Sequence, residues 1–454
     1  MGFTARLVNL KGELFSSTFT FGLTAAIRLG SSLILTRLLT PEAYGIFGIV
    51  LSFLFMIELM SDVGTIGLLI RHPRGDEPAF VHTIWTVRLI RCSLNFCLVF
   101  FGAPVIAAIY NMPVLTGAFR ALSFWFLITG AESMSFAISQ RRQKARISNY
   151  AELISNAAMT AFVLVAASVL KNHYALIYGS LLQRGLLTIG SYFFFRDIGV
   201  GLAFDKEALV DQFRFARYVL PSSVLSIVLT QYDKVVLLKF FNLTLMGIYS
   251  IAGNMISPVT GVVVHNARVV LYARCADYFR SNPTTARIRY YSENKRLLLI
   301  GTLLPALVAG FARLLVAVLY DARYVMVGDV LTILGLGAIV YAFQNASENL
   351  LVAAGKTNAV LMANVIRLCA LVPASFIGYY LAGFYGFLWF NFAATLPLVL
   401  YFFHQQDKLD LLDLTNELKR FASALIVFLI AYAASGLLLL AIPASWLHLG
   451  LKRH

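Results

Sequence analysis

The stretch that decides the fold is Leu35–Arg71, which reads LTRLLTPEAYGIFGIVLSFLFMIELMSDVGTIGLLIR. Two apolar arms meet at Thr40 and Pro41. Proline cannot continue the hydrogen bonding of a preceding helix but fits the first turn of a new one, and threonine is a favourable N-cap. We therefore predict a tight outer turn between two membrane-spanning helices, with Gly45 and Gly48 allowing close approach of a neighbouring helix.

The composition of the whole chain is that of a multi-pass membrane protein. Of its 454 residues, 59% are hydrophobic and 13% are charged, and the mean hydropathy is +0.77. Soluble domains are typically about 45–50% apolar and about 25% charged. The net charge of +15 does not indicate nucleic-acid binding, because the basic residues lie in short loops and beside apolar segments, where they set topology.

Apolar segments long enough to cross a bilayer, which takes roughly 20 residues, recur along the chain. We count them at 15–38, 44–70, 84–110, 116–138, 150–170, 174–195, 217–238, 246–270, 297–320, 327–353, 358–381, 385–403 and 420–442. With a cytoplasmic N-terminus, most Lys and Arg residues fall on inside positions, as the positive-inside rule requires. Met1–Lys11 runs straight into the first segment, so no removable signal peptide is predicted. A missed or false segment near Trp446 would change the side of the C-terminus.

The chain repeats itself weakly at an offset of 202 residues. Arg37–Thr40 aligns with Lys239–Asn242, and Gly45-Ile46-Phe47 then falls on Gly247-Ile248-Tyr249. Because the repeat unit contains six spans, an even number, the halves are expected to be parallel repeats. The predicted parts are an N-terminal six-helix lobe at 1–195, a cytoplasmic linker at 196–216, a C-terminal six-helix lobe at 217–405, and a loop with an extra helix at 406–454.

The turn also carries a family resemblance. The pattern R-L-L-x-P-x-x-Y-G-x-F at Arg37–Phe47, followed by Asp62-Val63-Gly64, resembles the polysaccharide-export flippases of the multidrug/oligosaccharidyl-lipid/polysaccharide exporter superfamily. Further matches, in the same order as in those flippases, are Leu220-Pro221-Ser222 with Asp233-Lys234, Gly247-Ile248-Tyr249-Ser250, and Ala354-Gly355-Lys356-Thr357. The resemblance implies an all-α membrane protein with about 12–14 transmembrane helices in two lobes around a central cavity.

Basic residues inside apolar segments are candidates for the substrate site, because ionisable groups in a bilayer usually face a bundle interior or a wet cavity. The guanidinium group binds phosphate oxygens bidentately. Arg28 is the first candidate because it lies near the middle of the first segment. The other candidates for contact with a substrate phosphate are Arg184, Lys234 and Arg367.

Acidic residues inside the segments are candidates for ion coupling. Glu58 and Asp62 are four residues apart and are predicted to share a helix face, where like charges favour protonation of one of them or a bound cation. Asp233, beside Lys234, is a third candidate. Structural pairing is the favoured interpretation for Glu132, Glu152 and Arg313.

No enzymatic motif or cofactor site is apparent. The cysteines Cys92, Cys97, Cys275 and Cys369 have no metal-ligand spacing, and a P-loop is absent, so direct ATP drive is not expected. Residues 206–218 have helical spacing and are predicted to form an amphipathic helix on the cytoplasmic surface, with membrane lipids as a partner.

The resemblance implies a function as well as a fold. It predicts a bacterial inner-membrane flippase, not an enzyme, that moves an undecaprenyl-diphosphate-linked oligosaccharide to the outer leaflet, with a polysaccharide polymerase or export machinery as a further partner. The alternatives are a cation-coupled drug or metabolite exporter of the same superfamily, and a membrane enzyme or assembly subunit of polysaccharide synthesis.

Overall fold

Helices make up nearly all of the chain in this computed structural model. The structure describes residues 20–441 with the exception of 21, 25, 29, 143–145 and 194–199. No β-strand occurs within these described ranges, and the predicted all-α membrane fold is confirmed. By its internal packing the chain divides into two compact units, Met1–Met246 and Gly247–His454.

The first unit is a bundle of long and short helices. In chain order they are α1 at 20–38, α2 Pro41–Met60, α3 Thr65–Arg71, α4 Pro78–Ile109, α5 Val114–Ala131, α6 Ser135–Arg141, α7 Arg146–Leu170, α8 Tyr174–Ser191 and α9 Lys206–Phe240. Helix α4 packs along α5, α7 along α8, and α9 against α2 and α4. Fully buried Phe80, Ile84, Phe119 and Phe126 fill the space between these helices.

The predicted turn at Thr40 is confirmed, and the repeat reproduces it. The Thr40 hydroxyl accepts a hydrogen bond from the backbone N–H of Ala43 at 3.4 Å, and α2 begins at Pro41. At the repeat offset, the Asn242 side-chain oxygen accepts from the backbone N–H of Leu245 at 2.9 Å, and the next helix begins at Leu243. The two copies therefore use the same capping device, in which a short polar side chain satisfies an orphan donor of the first turn.

Two predicted spans of the first unit are broken. Segment 44–70 was expected to be one helix, but α2 ends at Met60 and α3 begins at Thr65. Segment 116–138 is likewise interrupted between Ala131 and Ser135. The prediction that Glu58 and Asp62 share one helix face is wrong, because Asp62 lies in the turn beyond the end of α2.

The second unit contains most of α10 and all the helices that follow. Its elements are α10 Leu243–Asn266, a π-helical turn at Ala267–Leu271, α11 Tyr272–Ser281, a 3-10 turn at Pro283–Thr285, α12 Ala286–Glu293, α13 Lys295–Leu319, a 3-10 turn at Ala322–Tyr324, α14 Met326–Ala353, α15 Thr357–Ala393, α16 Leu396–Asp407 and α17 Leu414–Ala441.

Small residues allow α13 to pack closely against its neighbours. A Cβ at Gly310 would lie 2.5 Å from Ala431 Cβ on α17, and one at Gly335 of α14 would lie 2.7 Å from Ala309 Cβ. Lipid chains are as apolar as leucine, so helices inside a bilayer associate mainly through such close van der Waals packing. The extra C-terminal helix α17 is thus an integral part of the second unit.

Nine stretches of the described residues are long and apolar enough to cross a membrane, and one of them, Thr357–Asp407, covers two predicted segments. Together they account for ten of the thirteen predicted spans, whereas α8 and α9, at the predicted segments 174–195 and 217–238, are not among them. The predicted start of the first span at 15 and the region around Trp446 lie outside the described residues. The predicted lobe limits and the side of each loop stay predictions.

The boundary between segments 358–381 and 385–403 is confirmed inside α15. Ala382 and Gly383 leave the helical conformation, and Gly383 has a φ of 59° with a ψ of −135°, a region that is accessible essentially to glycine alone. The chain folds back so closely that a Cβ at Gly378 would overlap the backbone carbonyl of Gly386. This helical hairpin therefore depends on glycine at both contact positions.

Replacing Gly378 with alanine should weaken this hairpin. We expect Gly378→Ala to lower the free energy of unfolding by about 1–3 kcal/mol, the usual cost of overpacking. Gly337→Ala is the matched control, since nothing lies within 4 Å of a Cβ there, and it should be neutral or stabilising. Thermal unfolding of the two purified variants measures the difference; equal stability would contradict the close contact.

Candidate functional site

A cavity of about 550 Å³ opens in the first unit. Its volume is in the range of small-molecule binding sites, and charged side chains are unusually frequent in its wall. The lining residues are Phe55, Glu58, Leu59, Asp62, Gly64, Thr65, Ile66, Gly67, Arg88, Arg91, Arg184 and Gln231. They come from α2, the α2–α3 turn, α3, α4, α8 and α9.

One wall of the cavity is formed by the end of α2 and the turn after it. Glu58 lies in the last turn of α2, and Asp62 follows two residues beyond its end. The Asp62 Oδ1 atom accepts a hydrogen bond from the backbone N–H of Gly64 at 2.9 Å. Gly64 has a φ of 72°, which costs glycine little and other residues more. The Asp62-Val63-Gly64 sequence thus ends one helix and starts the next at the cavity.

A second wall is a polar stripe on α4. Arg88, Arg91 and Asn95 follow at spacings of three and four residues and so share a helix face. Arg91 Nη1 donates to the backbone oxygen of Glu58 at 3.2 Å and to Ser61 Oγ at 3.0 Å. Asn95 Nδ2 donates to the same Ser61 oxygen at 2.8 Å. These bonds fasten α4 to the end of α2.

A buried carboxylate joins two of the arginines behind the cavity. Glu132 Oε2 lies 3.3 Å from Arg88 Nη2 and 2.9 Å from Arg184 Nη2. The Glu132 side chain is only 9% exposed. Arg184 is held further by a hydrogen bond from its Nε to Thr129 Oγ1 at 2.8 Å and lies over the Trp125 ring. The Glu132 carboxylate thus serves as the shared counter-charge of both guanidiniums.

The position of Glu132 is set by the break between α5 and α6. The Trp85 indole N–H donates to the Glu132 backbone oxygen at 3.1 Å. The next residue, Ser133, donates from its backbone N–H to Ser191 Oγ at 2.9 Å and from its hydroxyl to the Ser191 backbone oxygen at 2.7 Å. The Glu132 carbonyl and the Ser133 N–H, which lie outside any helix, thereby obtain hydrogen bonds with the side chains of Trp85 and Ser191.

Arg91 differs from the other two arginines in its partners. Among the described residues, no carboxylate lies within 4 Å of its guanidinium, whose contacts are a carbonyl, a hydroxyl and the Cys92 sulfur. Arg88 and Arg184 share the charge of Glu132. Arg91 is therefore the cation of this wall that is most available to an anionic ligand.

Three of the predicted site residues meet at this cavity. Arg184, Glu58 and Asp62 all line it. Lys234 lies one turn along α9 from the lining residue Gln231 and donates from Nζ to its Oε1 at 3.1 Å. Asp233 is half-buried on the same helix.

Two other predicted residues lie elsewhere. Arg28 is exposed on α1, and its Nη2 donates to Asn156 Oδ1 on α7 at 3.4 Å. Arg367 belongs to the second unit, where its Nη2 donates to Gln344 Oε1 at 2.8 Å. Neither lines the cavity of the first unit. Their predicted contact with substrate stays a prediction.

Sequence reasoning missed three charged residues because it counted them as loop or structural charges. Arg88 and Arg91 were counted with the inside charges that set topology, although they lie within the predicted segment 84–110; in the structure α4 carries both of them to the cavity. Glu132 was predicted to have a structural pairing role. It does form ion pairs, and its two partners, Arg88 and Arg184, line the cavity. The three-residue spacing of Arg88 and Arg91, continued by Asn95, is the signal that could have identified the stripe. Within the described residues no His, Cys, Asp and Glu cluster is arranged to hold a metal.

The fold is shared with a class of multi-pass membrane transporters. The lipid II flippase MurJ, in an inward closed conformation, superposes over 92% of each chain with a TM-score of 0.72 and 13% sequence identity. An inward-facing multidrug resistance MATE family transporter of the MOP superfamily matches 86% of this chain and 95% of its own, with a TM-score of 0.61 and 14% identity. At these identities the likeness is one of fold, and it confirms the predicted fold class.

The chain belongs to the family described as polysaccharide biosynthesis protein, whose model matches residues 34–327. It is 19% identical over 305 residues to the teichuronic acid biosynthesis protein TuaB of Bacillus subtilis, covering 66% of this chain and 62% of TuaB. It is 21% identical over 286 residues to the amylovoran biosynthesis protein AmsL of Erwinia amylovora, covering 63% of this chain and 74% of AmsL. The match to TuaB thus spans less than two thirds of that relative. The resemblance drawn from Arg37–Phe47 and Asp62–Gly64 is confirmed.

Removing the Glu132 charge should destabilise the protein, because this one carboxylate pairs with two arginines. We expect Glu132→Gln to lower the free energy of unfolding by about 3–5 kcal/mol, because it leaves two buried guanidiniums without a counter-charge. Glu152→Gln is the matched control on α7, an exposed position where a change within about 0.5 kcal/mol is expected. Thermal unfolding of both variants is the measurement, and equal stability would show that the two ion pairs contribute nothing.

Proposed function

We propose that this chain is a flippase of the bacterial inner membrane that moves an undecaprenyl-diphosphate-linked oligosaccharide from the cytoplasmic to the outer leaflet. The observation that carries the proposal is the cavity lined by Arg88, Arg91 and Arg184. A diphosphate presents several anionic oxygens, and the planar guanidinium is the side chain best suited to bind them. Arg91 is the proposed first contact, with the Glu132-bound pair behind it.

Family membership supports the substrate class. The relatives TuaB and AmsL are named for teichuronic acid and amylovoran biosynthesis, and the solved structure with a TM-score of 0.72 is named a lipid II flippase. The carrier lipid, the direction of transport and the cytoplasmic N-terminus follow from the resemblance and from the placement of Lys and Arg. Proposed partners are the lipid-linked oligosaccharide, membrane lipids, and a polymerase or export machinery; nucleic acid is not among them.

We further propose transport by alternating access of two lobes, 1–195 and 217–405, connected by a linker at 196–216. Arg28, Lys234 and Arg367 are proposed as additional contacts of the substrate phosphate along its path. An enzymatic role is not proposed, because transport by such a cavity requires no covalent chemistry.

Leaflet-resolved labelling of the lipid-linked oligosaccharide tests the proposal in cells that lack the protein. We expect the precursor to accumulate in the cytoplasmic leaflet and surface polysaccharide to disappear. A precursor that reaches the outer leaflet without polymerising would contradict flipping and favour the enzyme or assembly-subunit alternative. No change in either quantity would favour a drug or metabolite exporter.

Expressing variants in the cells that lack the protein tests whether the cavity arginines are needed for flipping. Arg91→Gln should reduce flipping about 10- to 100-fold, the equivalent of one or two charge-assisted hydrogen bonds, and Arg91→Lys should be intermediate because it keeps the charge but loses the fork. Arg323→Gln, in a short turn of the second unit, is the control and should transport normally. Wild-type flipping by Arg91→Gln would remove this residue from the substrate site.

Charge balance suggests how transport is coupled to an ion. Glu58 and Asp62 face the same cavity as Arg88, Arg91 and Arg184, and Glu132 offsets part of their positive charge. Adding an anionic diphosphate creates excess negative charge unless the two lining carboxylates take up protons or a cation. We propose that Glu58 and Asp62 serve this purpose, with Asp233 as a further candidate.

The coupling proposal predicts an effect of removing the Glu58 charge. Glu58→Gln should bind the diphosphate headgroup more tightly than wild-type protein, because it removes a negative charge from the cavity that the diphosphate enters. Binding of a polyprenyl diphosphate to the two purified proteins measures this, and equal affinity would exclude Glu58 from the coupling.

A further inference from the structure

A strongly apolar surface is exposed where α8 is connected to α9. It lies on residues 200–217, which we name the connecting segment. Leu202, Phe204 and Phe213 are 71%, 70% and 68% exposed, and Val210 is exposed beside them. Large apolar side chains clustered in this way on a membrane protein indicate contact with lipid or with another protein.

The opposite side of the connecting segment is fastened to α4. The backbone N–H of Ala203 donates to Thr86 Oγ1 at 3.2 Å, and that of Asp205 donates to Thr83 Oγ1 at 3.0 Å. Both threonines are buried. These two hydrogen bonds fix the position of the segment, and of its apolar side chains, along the axis of α4.

At this position along α4, the connecting segment lies beside a stripe of exposed apolar side chains on the same helix. The side chains of Ile90, Leu94, Leu98 and Phe101 are all exposed, and their spacing of three and four residues places them on one face of α4. Thr86 precedes Ile90 by about one helical turn. The exposed apolar residues of the connecting segment thus lie next to the N-terminal end of this exposed apolar stripe of α4.

The acidic residues of the segment are occupied by partners within the protein. Arg74 pairs with Asp205 at 2.6 Å and with Glu207 at 3.1 Å. His72 Nε2 lies 3.3 Å from Asp211 Oδ2. The hydrogen bond from Arg74 lowers the pKa of Asp205 below its ordinary value. The Arg74 guanidinium therefore offsets Asp205 and Glu207, and Asp211 contacts the His72 imidazole on the α3–α4 side.

Three cations of the segment point away from that side. Lys206 and Arg217 are exposed, and the Arg214 side chain is 64% exposed with only a long 3.4 Å contact to Asp211. They flank Val210 and Phe213 on the same outward face of α9. Basic residues beside exposed aromatic and aliphatic side chains are typical of segments that lie at the boundary of headgroups and acyl chains.

We propose that the connecting segment docks on the membrane surface, with Leu202, Phe204 and Phe213 in the acyl–headgroup boundary and Lys206, Arg214 and Arg217 on anionic phospholipid headgroups. The occupant is the bilayer because the patch lies next to the exposed apolar stripe of α4 and because Lys206, Arg214 and Arg217 are exposed cations, whereas the exposed Glu207 carboxylate is paired with Arg74. The proposal stands on its own and does not require the flippase function.

The docked segment also contacts the wall of the cavity. Gln212 is fully buried and donates from Nε2 to the backbone oxygen of Val63 at 2.6 Å. Val63 lies between Asp62 and Gly64, which both line the cavity. One buried hydrogen bond thus connects the connecting segment to the turn that lines the cavity.

Spin-label accessibility tests where the segment lies. The full-length chain, with exposed Cys97 and Cys369 replaced by serine, would be labelled at Phe213→Cys in nanodiscs that contain phosphatidylglycerol. Reference labels are Leu98→Cys in the lipid-facing stripe and Ser292→Cys, exposed in the last turn of α12. We expect the label at 213 to resemble that at 98, accessible to oxygen and shielded from an aqueous nickel chelate. Accessibility to nickel equal to that at 292 would overturn the proposal and leave the surface open to a protein.

The lipids that remain bound to the purified protein test whether the cations of the segment bind anionic headgroups. From bilayers with equal phosphatidylcholine and phosphatidylglycerol, wild-type protein should retain an excess of phosphatidylglycerol. The double variant Lys206→Gln, Arg214→Gln should lose this excess by about fivefold for each cation removed, whereas the control Lys239→Gln should keep it. Equal retention by the double variant and wild type would overturn the assignment of anionic headgroups to these residues.

Discussion

The ion pairs of Glu132 with Arg88 and Arg184 are the constraint on which the cavity depends. A charge inside a bilayer is too costly to remain uncompensated, so one carboxylate fixes the positions of two guanidiniums on α4 and α8. The pairing requires Glu132 to lie at a break between α5 and α6, where its backbone is free to turn toward both helices. With Glu132 occupied by these two, Arg91 is left with neutral partners and is the cation that an anionic ligand would meet.

Broken helices supply the remaining geometry of the site. Non-helical backbone at membrane depth is tolerated only where it is buried in protein or lines a wet cavity, and the two breaks of the first unit satisfy that condition. At Asp62–Gly64 the aspartate side chain binds the free backbone N–H and the glycine adopts the left-handed conformation. At Glu132–Ser133 the groups are bound by Trp85 and Ser191. The first break places the Asp62 carboxylate in the wall of the cavity, and the second places the Glu132 carboxylate behind it, against Arg88 and Arg184.

The sequence predicted local features well and charged contacts poorly. The Thr40 cap and the break after 381 were predictable because each depends on a few neighbouring residues with strong conformational preferences. The interruption of segment 44–70 was missed because apolar composition does not distinguish one helix from two. Arg88 and Arg91 lie inside the predicted segment 84–110 but were counted only as charges that set topology, because their partners at the cavity come from helices far away in the sequence.

The sequence by itself determined that this chain is an all-α membrane protein, that it repeats its first hairpin, and that it resembles the polysaccharide-export flippases. Apolar length, proline and glycine positions, and short motifs are all readable along the chain, so no long-range contact was needed. Only the tertiary structure decided that Glu58, Asp62, Arg91 and Arg184 share one cavity while Arg28 and Arg367 lie elsewhere. The physical reason is that a buried charge is compensated by whichever helix packs beside it, and packing partners far apart in sequence leave no local signal.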